Sequence, residues 1–332
     1  MKPTLFLLAP SDLEEKNTIS QEAVGGGMVR MDVTLSGVMP ILPFVLADKT
    51  LSANSRSAVL GVHRIQIPSN TPINVFNLVG DADSSPNTLQ NLQAAIDKIQ
   101  PSRCFNLPAN VFKTGRAMLP ETLAGVPNCI VPRVQAARSS EFSELKALCR
   151  KFDRWPLIVR SRGEHGGKQM LLFDDISQLD SHRDLPWLYR DICLIEYIDY
   201  KDADGFYQKN RIIVVDGVPY PRHALFMRQW MVHASSRGEL MSENMELVHR
   251  EEQFISSQVQ QYYPVFEEMY RRIGLDIFGV DFGVIKGKVL VFEANACMKF
   301  LDRQYRADNR FNYLDDHVRT LKRAIKKMLV QA

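Results

Sequence analysis

The sequence predicts an α/β protein whose first part is a parallel sheet and whose remainder is built from hairpins, the parts packed around a cleft. Three observations support this. The chain has 332 residues, more than a single hydrophobic core usually serves, so two or three subdomains are expected. Residues 73–107 read strand, helix, strand, the pattern of a βαβ unit. From Trp155 onward, short apolar runs alternate with turn signals, among them Asp216-Gly217, a strong hairpin marker.

The elements follow in order. Thr4–Ala9 is an apolar run closed by Pro10 and reads as a buried first strand. Val24-Gly-Gly-Gly27 is expected to be a loop, flexible or open to close approach by a ligand, because glycine tolerates positive φ. Ile73–Val79 is the next strand, Leu89–Ile99 an amphipathic helix and Arg103–Leu107 another strand. Asp81, Asp83 and Asn106 fall at strand ends, where they either contact a ligand or cap loops. Gly115–Pro132 is turn-rich and brings the first subdomain to its end. A helix with Leu145, Leu148 and Phe152 on one face comes next. The strand Trp155–Arg160, a glycine-bearing loop from Ser161 to Lys168, and the strand Gln169–Phe173 follow it. Ile192–Ile198 is a buried strand, and Arg211–Val215 with Val218–Tyr220 forms the Asp-Gly hairpin. Glu251–Ile273 is expected to be one long helix, and Phe278–Ile285 with Val289–Asn295 a closing hairpin around Gly287. Arg319, Lys322, Arg323, Lys326 and Lys327 interleave with Leu321, Ile325, Met328 and Leu329 at helical spacing, which predicts a final amphipathic helix with a solvated basic face.

Hydrophobic residues at 45% and charged residues at 24% are ordinary for a globular protein and argue against a disordered, fibrous or disulfide-scaffold class. The 41 basic and 38 acidic residues leave a formal charge of only +3, so no nucleic-acid partner is called for. Five widely spaced cysteines without a CxxC pair read as reduced thiols in a cytoplasmic protein without structural zinc. The only apolar run near the N-terminus is short, and no run is long enough to span a membrane.

The closing hairpin carries the clearest chemistry. A turn centred on Gly287 places Asp281 directly opposite Glu293 on one face, and Asn295 two residues further on the same face. A two-residue turn would shift this pairing by one. Both carboxylates lie in apolar text, where an unpaired charge is costly to bury. Two carboxylates and an amide oxygen make a hard oxygen cluster suited to Mg²⁺, which fills its remaining positions with phosphate oxygens and water.

Phe278-Gly-Val-Asp-Phe-Gly283 followed by Val291-Phe-Glu-Ala-Asn295 resembles the terminal metal-binding signature of the ATP-grasp superfamily, the fold of glutathione synthetases, D-alanine–D-alanine ligases and RimK-type ligases. The resemblance is detailed over residues 135–330. It implies a pre-ATP-grasp domain over 1–135, a small lobe with a glycine-rich lid over 136–195 and a large lobe over 196–332, the lobes being α+β with ATP between them. Pro156–Arg160 resembles the strand whose basic residue meets the α- and β-phosphates. Arg160 stands there in place of the usual lysine, with Arg162 and Lys168 nearby, and an arginine fork is not equivalent to an ammonium. Gly163–Lys168, including Gly166 and Gly167, resembles the lid. Leu194–Ile198 resembles the hinge, so the backbone of Glu196, Tyr197 and Ile198 is expected at the adenine edge, and Asp204 or Asp199 at the ribose. Lys209 and Arg211 are expected near the transferred phosphate. The cofactors implied are ATP and Mg²⁺, with Mn²⁺ as an alternative ion.

Between Tyr220 and His233 lie two histidines, two arginines and a tryptophan, a composition suited to a pocket for carboxylate and phosphate. Arg228, His223 and His233 are the candidates there, and a structural hydrogen bond is an equal alternative for each histidine. The activity implied is ATP-dependent joining of a small-molecule or peptide carboxylate to an amine through an acyl phosphate. Phosphoryl transfer on the same fold, or a catalytically silent ATP-binding regulator, are the alternatives. A homodimer is the common oligomer for an enzyme of this size.

Overall fold

The apolar run near the N-terminus folds as β1 (Thr4–Leu8), an inner strand of an all-parallel sheet. The computed structural model describes residues 2–13, 18–25, 28–60, 72–164, 167, 169–182, 187–302 and 309–332. β2 (Thr18–Gly25) and β3 (Met28–Thr34) form a separate antiparallel ribbon, so Val24 and Gly25 of the expected loop belong to a strand, while Gly26 and Gly27 lie outside the described residues. β4 (Ser55–Val59), β5 (Asn74–Asn77) and β6 (Arg103–Phe105) complete the first sheet in the order β4-β1-β5-β6. Phe6, Phe76 and Phe105 stack across it, with ring centroids 5.5 and 5.3 Å apart. The helix between β5 and β6 starts at Pro86 rather than Leu89. Proline suits a first helical turn, and the Asp12 carboxylate accepts the N–H groups of Asn87 (2.7 Å) and Thr88 (3.0 Å).

The chain next lays down β7 (Cys129–Ile130) and then builds an antiparallel sheet from β8 (Val134–Arg138), β9 (Leu157–Ser161), β10 (Met170–Phe173) and β11 (Asp191–Glu196), in the order β10-β9-β11-β8. Helix Phe142–Phe152 covers one face. Leu145, Cys149 and Phe152, spaced i, i+4, i+7, are fully buried in a core shared with Leu157, Val159, Ile192 and Leu194. Each large apolar side chain in such a core contributes about 1.5–3 kcal/mol.

β12 (Tyr207–Val215), β13 (Val218–Met227), β14 (Ile277–Ile285) and β15 (Lys288–Asn295) form the third sheet, and β7 joins its edge in parallel with β15 to give β13-β12-β14-β15-β7. Both hairpins close through two residues with positive φ, Asp216 (49°) with Gly217 (80°) and Lys286 (48°) with Gly287 (74°), the signature of type I′ turns. Helices Met245–Ser256, Tyr263–Ile273 and Leu314–Gln331 pack on this sheet. The single helix expected over 251–273 is thus two, joined by a 3₁₀ segment at Gln258–Tyr262. Pro264 has no N–H to continue the ladder, and it sits in the first turn of the second helix, where none is needed. Phe282 packs between Phe254 and Phe266 of these helices. Strand alternation therefore turns its neighbour Asp281 to the opposite face, toward the small sheet. Among the described residues no helix is long and apolar enough to cross a membrane.

Candidate active site

One row of side chains crosses the third sheet. His223 on β13 pairs with Arg211 on β12, Arg211 with Asp281 on β14, and Asp281 with Glu293 on β15. The last pairing depends on a bulge. Beyond the two-residue turn the register runs Ile285 with Lys288 to Phe282 with Val291, which alone would set Phe292 against Asp281. An irregularity between Phe282 and Asp281 makes Phe292 the extra residue and returns Glu293 to Asp281.

Asp281 is 2% exposed and held by three donors. Arg211 grips it bidentately, Nε to Oδ1 at 2.6 Å and Nη2 to Oδ2 at 2.9 Å, while Lys209 Nζ lies 2.8 Å from Oδ2. Burial opposes the Asp281 charge, but the neighbouring Arg211 and Lys209 charges outweigh it and hold the carboxyl below its usual range. Glu293 meets Arg116 Nη2 at 3.0 Å and accepts from Asn295 Nδ2 at 2.5 Å. Asn295 Oδ1 accepts the Cys297 N–H at 3.0 Å, so the amide must turn over before its oxygen joins the two carboxylates. With that turn, the set is chemically fit for Mg²⁺. Among the described residues no cluster of three or more His, Cys, Asp or Glu side chains forms.

Arg116, which the sequence did not single out, arrives from the turn-rich stretch after the first sheet. It is 6% exposed and also binds Asp83 Oδ2 at 2.8 Å, and Asp83 Oδ1 lies 3.4 Å from Arg162 Nε. Asp83 is therefore an ion-pair hub. Asp81 instead caps its own loop through the Asp83 N–H (3.0 Å) and Ser84 Oγ (2.6 Å), and Asn106 bonds the backbone of Ile277.

A cleft opens between the small and large sheets. Its apolar end is lined by Ile158, Met170 and Ile195 on one side, by Leu290 and Phe292 on the other, and by Glu196, Tyr197 and Ile198 at the crossing. The Glu196 N–H goes to Arg133 O and the Tyr197 N–H to Pro156 O, both at 2.9 Å, leaving the Ile198 N–H without a partner among the described residues. Glu196 Oε2 accepts the Arg133 N–H at 3.1 Å.

Arg116, Arg160, Lys209, His233 and Glu293 line the polar end. Arg160 is 8% exposed, donates to the Glu164 carbonyl, and has a buried Nε with no partner. Burial, then the nearby Arg116 charge, brings its guanidinium down to about 10. The glycine-bearing loop after β9 comes close at Gly167 (φ 72°), where a β-carbon would stand 2.4 Å from the His233 ring. Burial and the Lys209 charge lower the His233 pKa. Gly166 and Lys168 lie outside the described residues.

Other expected residues stand apart from the cleft lining. Asp204 is exposed, its carboxylate 3.4 Å from Arg250 and its carbonyl accepting from Arg228, which lies over the Phe206 ring at 3.7 Å. The loop after the crossing turns Asp204 outward, and Arg228 is exposed just past the end of β13. Asp199 receives the Tyr197 hydroxyl at 3.3 Å. His223 is fully enclosed, with Nε2 unpartnered, and burial followed by the Arg211 and Arg222 charges lowers its pKa well below the usual value. Arg222, the extra residue of a second bulge, donates to the carbonyls of Phe300 (2.8 Å) and Asp302 (2.6 Å).

Neither protein-family models nor curated proteins match the sequence. Solved structures do resemble the fold. The RimK-domain ATP-grasp protein of Sphaerobacter thermophilus aligns at a TM-score of 0.50 and 11% identity, over 95% of this chain and 99% of that one. The D-alanine–D-alanine ligase of Bacillus anthracis, solved with ATP, aligns at a TM-score of 0.50 and 10% identity, over 98% of each chain. With its parallel first sheet, a cleft between two further sheets, and likenesses that run nearly end to end, the protein has the ATP-grasp fold.

Proposed function

We propose that the protein is an ATP-dependent ligase that activates a carboxylate as an acyl phosphate and joins it to an amine. One observation supports this above the others: among the described residues five cations of the site, Arg116, Arg160, Arg162, Lys209 and Arg211, face four carboxylates in their network, Asp81, Asp83, Asp281 and Glu293. Arg160 is buried, and among the described residues it makes no ion pair of its own, Asp83 and Glu293 acting on it only from a distance, a costly arrangement that a phosphate would relieve. The two similar structures are of an ATP-grasp protein and of an amino-acid ligase holding ATP, which fits the same reading.

In this proposal residues 1–135, 136–195 and 196–332 act as pre-ATP-grasp domain, lid lobe and large lobe. Adenine enters the apolar end of the cleft, where the unpartnered Ile198 N–H is a donor at its edge. Arg160 and Arg116 receive the phosphates, with Gly167 closing over them against His233. Lys209 and Arg211 hold the Asp281 side of the transferred phosphoryl group, where fixed positive charge counts most. Asp281, Glu293 and Asn295 are the residues that would hold Mg²⁺, which neutralises phosphate charge when bound. Closure of the lid excludes water that would otherwise hydrolyse the acyl phosphate. The test is incubation of the purified protein with Mg²⁺, ATP, and pooled carboxylates and amines. An amide product with ADP and phosphate in equal amounts supports ligation. A stable phosphorylated product would instead favour phosphoryl transfer, and binding without turnover would favour a silent regulator.

A further inference from the structure

The donors now on Glu293 and Asp281 belong to the protein itself. Asp281 is neutralised by Arg211 and Lys209, and Glu293 is approached by Arg116 at 3.0 Å. The remaining member of the set, Asn295, shows Glu293 its nitrogen and gives its oxygen to the Cys297 N–H. Every group suited to a divalent cation therefore already has a protein donor on it, and three full positive charges surround the two carboxylates.

We infer that Arg116 is a cationic stand-in at Glu293, so that the carboxylate pair accepts a divalent ion together with nucleotide phosphates but not alone. This rests on the reading of the cleft as an Mg²⁺–ATP site. An added dication would meet three like charges within a few ångströms, and in a buried site such repulsion is poorly screened. Polyphosphate arriving with the ion reverses the balance, because it gives Arg116 and Arg160 an anion to face. Arg116 has somewhere to go without crossing the site: its Nη1 already binds Asp83 at 2.8 Å, so it leaves Glu293 while keeping one acidic partner. Arg116 comes from the unit that carries the first sheet, and through this contact that unit governs when Glu293 becomes available.

The experiment is titration of the full chain with Mn²⁺, following free ion by electron paramagnetic resonance, with and without a non-hydrolysable ATP analogue. Arg116→Gln and Arg116→Met should bind Mn²⁺ without nucleotide at least ten times more tightly than the parent chain and Arg116→Lys. Equal nucleotide-free affinity in all four would overturn the inference. A second arm does not depend on folding of the Arg116 variants. In Glu293→Gln, affinity for Mn²⁺ alone should match the parent, while affinity for Mn²⁺ with the analogue falls at least tenfold. Parallel loss in both conditions would also overturn it. If the parent binds no Mn²⁺ even with the analogue, the ATP reading itself fails, a different result from either of these.

Discussion

Replacing Arg160 with methionine should move stability and nucleotide binding in opposite directions. Methionine keeps most of the side-chain volume and removes the charge. In the nucleotide-free protein burial and the Arg116 charge bring the guanidinium down from its ordinary range to about 10, which at about 1.36 kcal/mol per pH unit disfavours the charged form by about 3 kcal/mol. Part of this is not recovered, since the Glu164 carbonyl loses its donor. If about 1 kcal/mol is regained, the melting temperature rises by roughly 1–2 °C in a chain of this size. The same change removes a charge-assisted contact to phosphate worth about 1.5–3 kcal/mol, or roughly a 10- to 150-fold weaker Kd for Mg²⁺–ATP. Differential scanning calorimetry without nucleotide and titration calorimetry with it measure the two halves. A lower melting temperature together with unchanged ATP affinity would refute the reasoning, because Arg160 would then be a structural residue.

Three further outcomes are expected. Glu251→Gln should cost about 3–5 kcal/mol in chemical denaturation, since it removes one charge of the buried Arg237–Glu251 pair; Glu251 also accepts from Ala224 N–H (2.9 Å) and Tyr313 (2.6 Å). Gly167→Ala should raise the KM for ATP by roughly 5- to 150-fold, from about 1–3 kcal/mol of overlap with the His233 ring and positive-φ strain; adding His233→Ala should recover the part owed to the ring, and no recovery would show that the ring is not the obstacle. Burial lowers the pKa of His223, His233 and His317, so the unfolded chain binds more protons than the folded one below about pH 6.5. Stability should therefore fall as pH drops from about 6.5 through their depressed values, and denaturation midpoints that do not change between pH 7.5 and pH 5 would contradict this.

The facing of Asp281 and Glu293 was legible because acids inside apolar strands leave few places to stand. The route to it was not. A symmetric turn about Gly287 was expected, whereas the protein uses a two-residue turn and then a bulge at Phe292, two departures that cancel. Nothing in the text of β15 marks the bulge, because Phe292 earns its place by packing on Tyr200 at 4.8 Å, a contact far off in sequence. Pro264 could have warned of the break in the long helix. Asp204 was expected from the resemblance and Arg228 from the composition of its stretch, and neither reveals which way a side chain faces. Arg116 sits in turn text without a periodic signal, and its importance appears only once Asp83 and Glu293 are brought to either side of it. His223 reaches the row of Arg211 only through the bulge at Arg222, which a regular hairpin register would have set opposite Arg211.

The pairing of β7 with β15 sets a schedule for synthesis. Cys129 and its partner Val289 are 160 residues apart, so at roughly 5–20 residues per second a ribosome needs about 8–32 s to deliver the second after the first. During that interval residues 129–130 have no sheet to join, and the four-stranded small sheet can form before the large one exists. The last strand to emerge thus completes the pairing of the third sheet and sets Glu293 beside Arg116. Folding delayed at β15 would leave an unpaired edge open to other chains, and slower translation through residues 277–295 should lower the soluble yield.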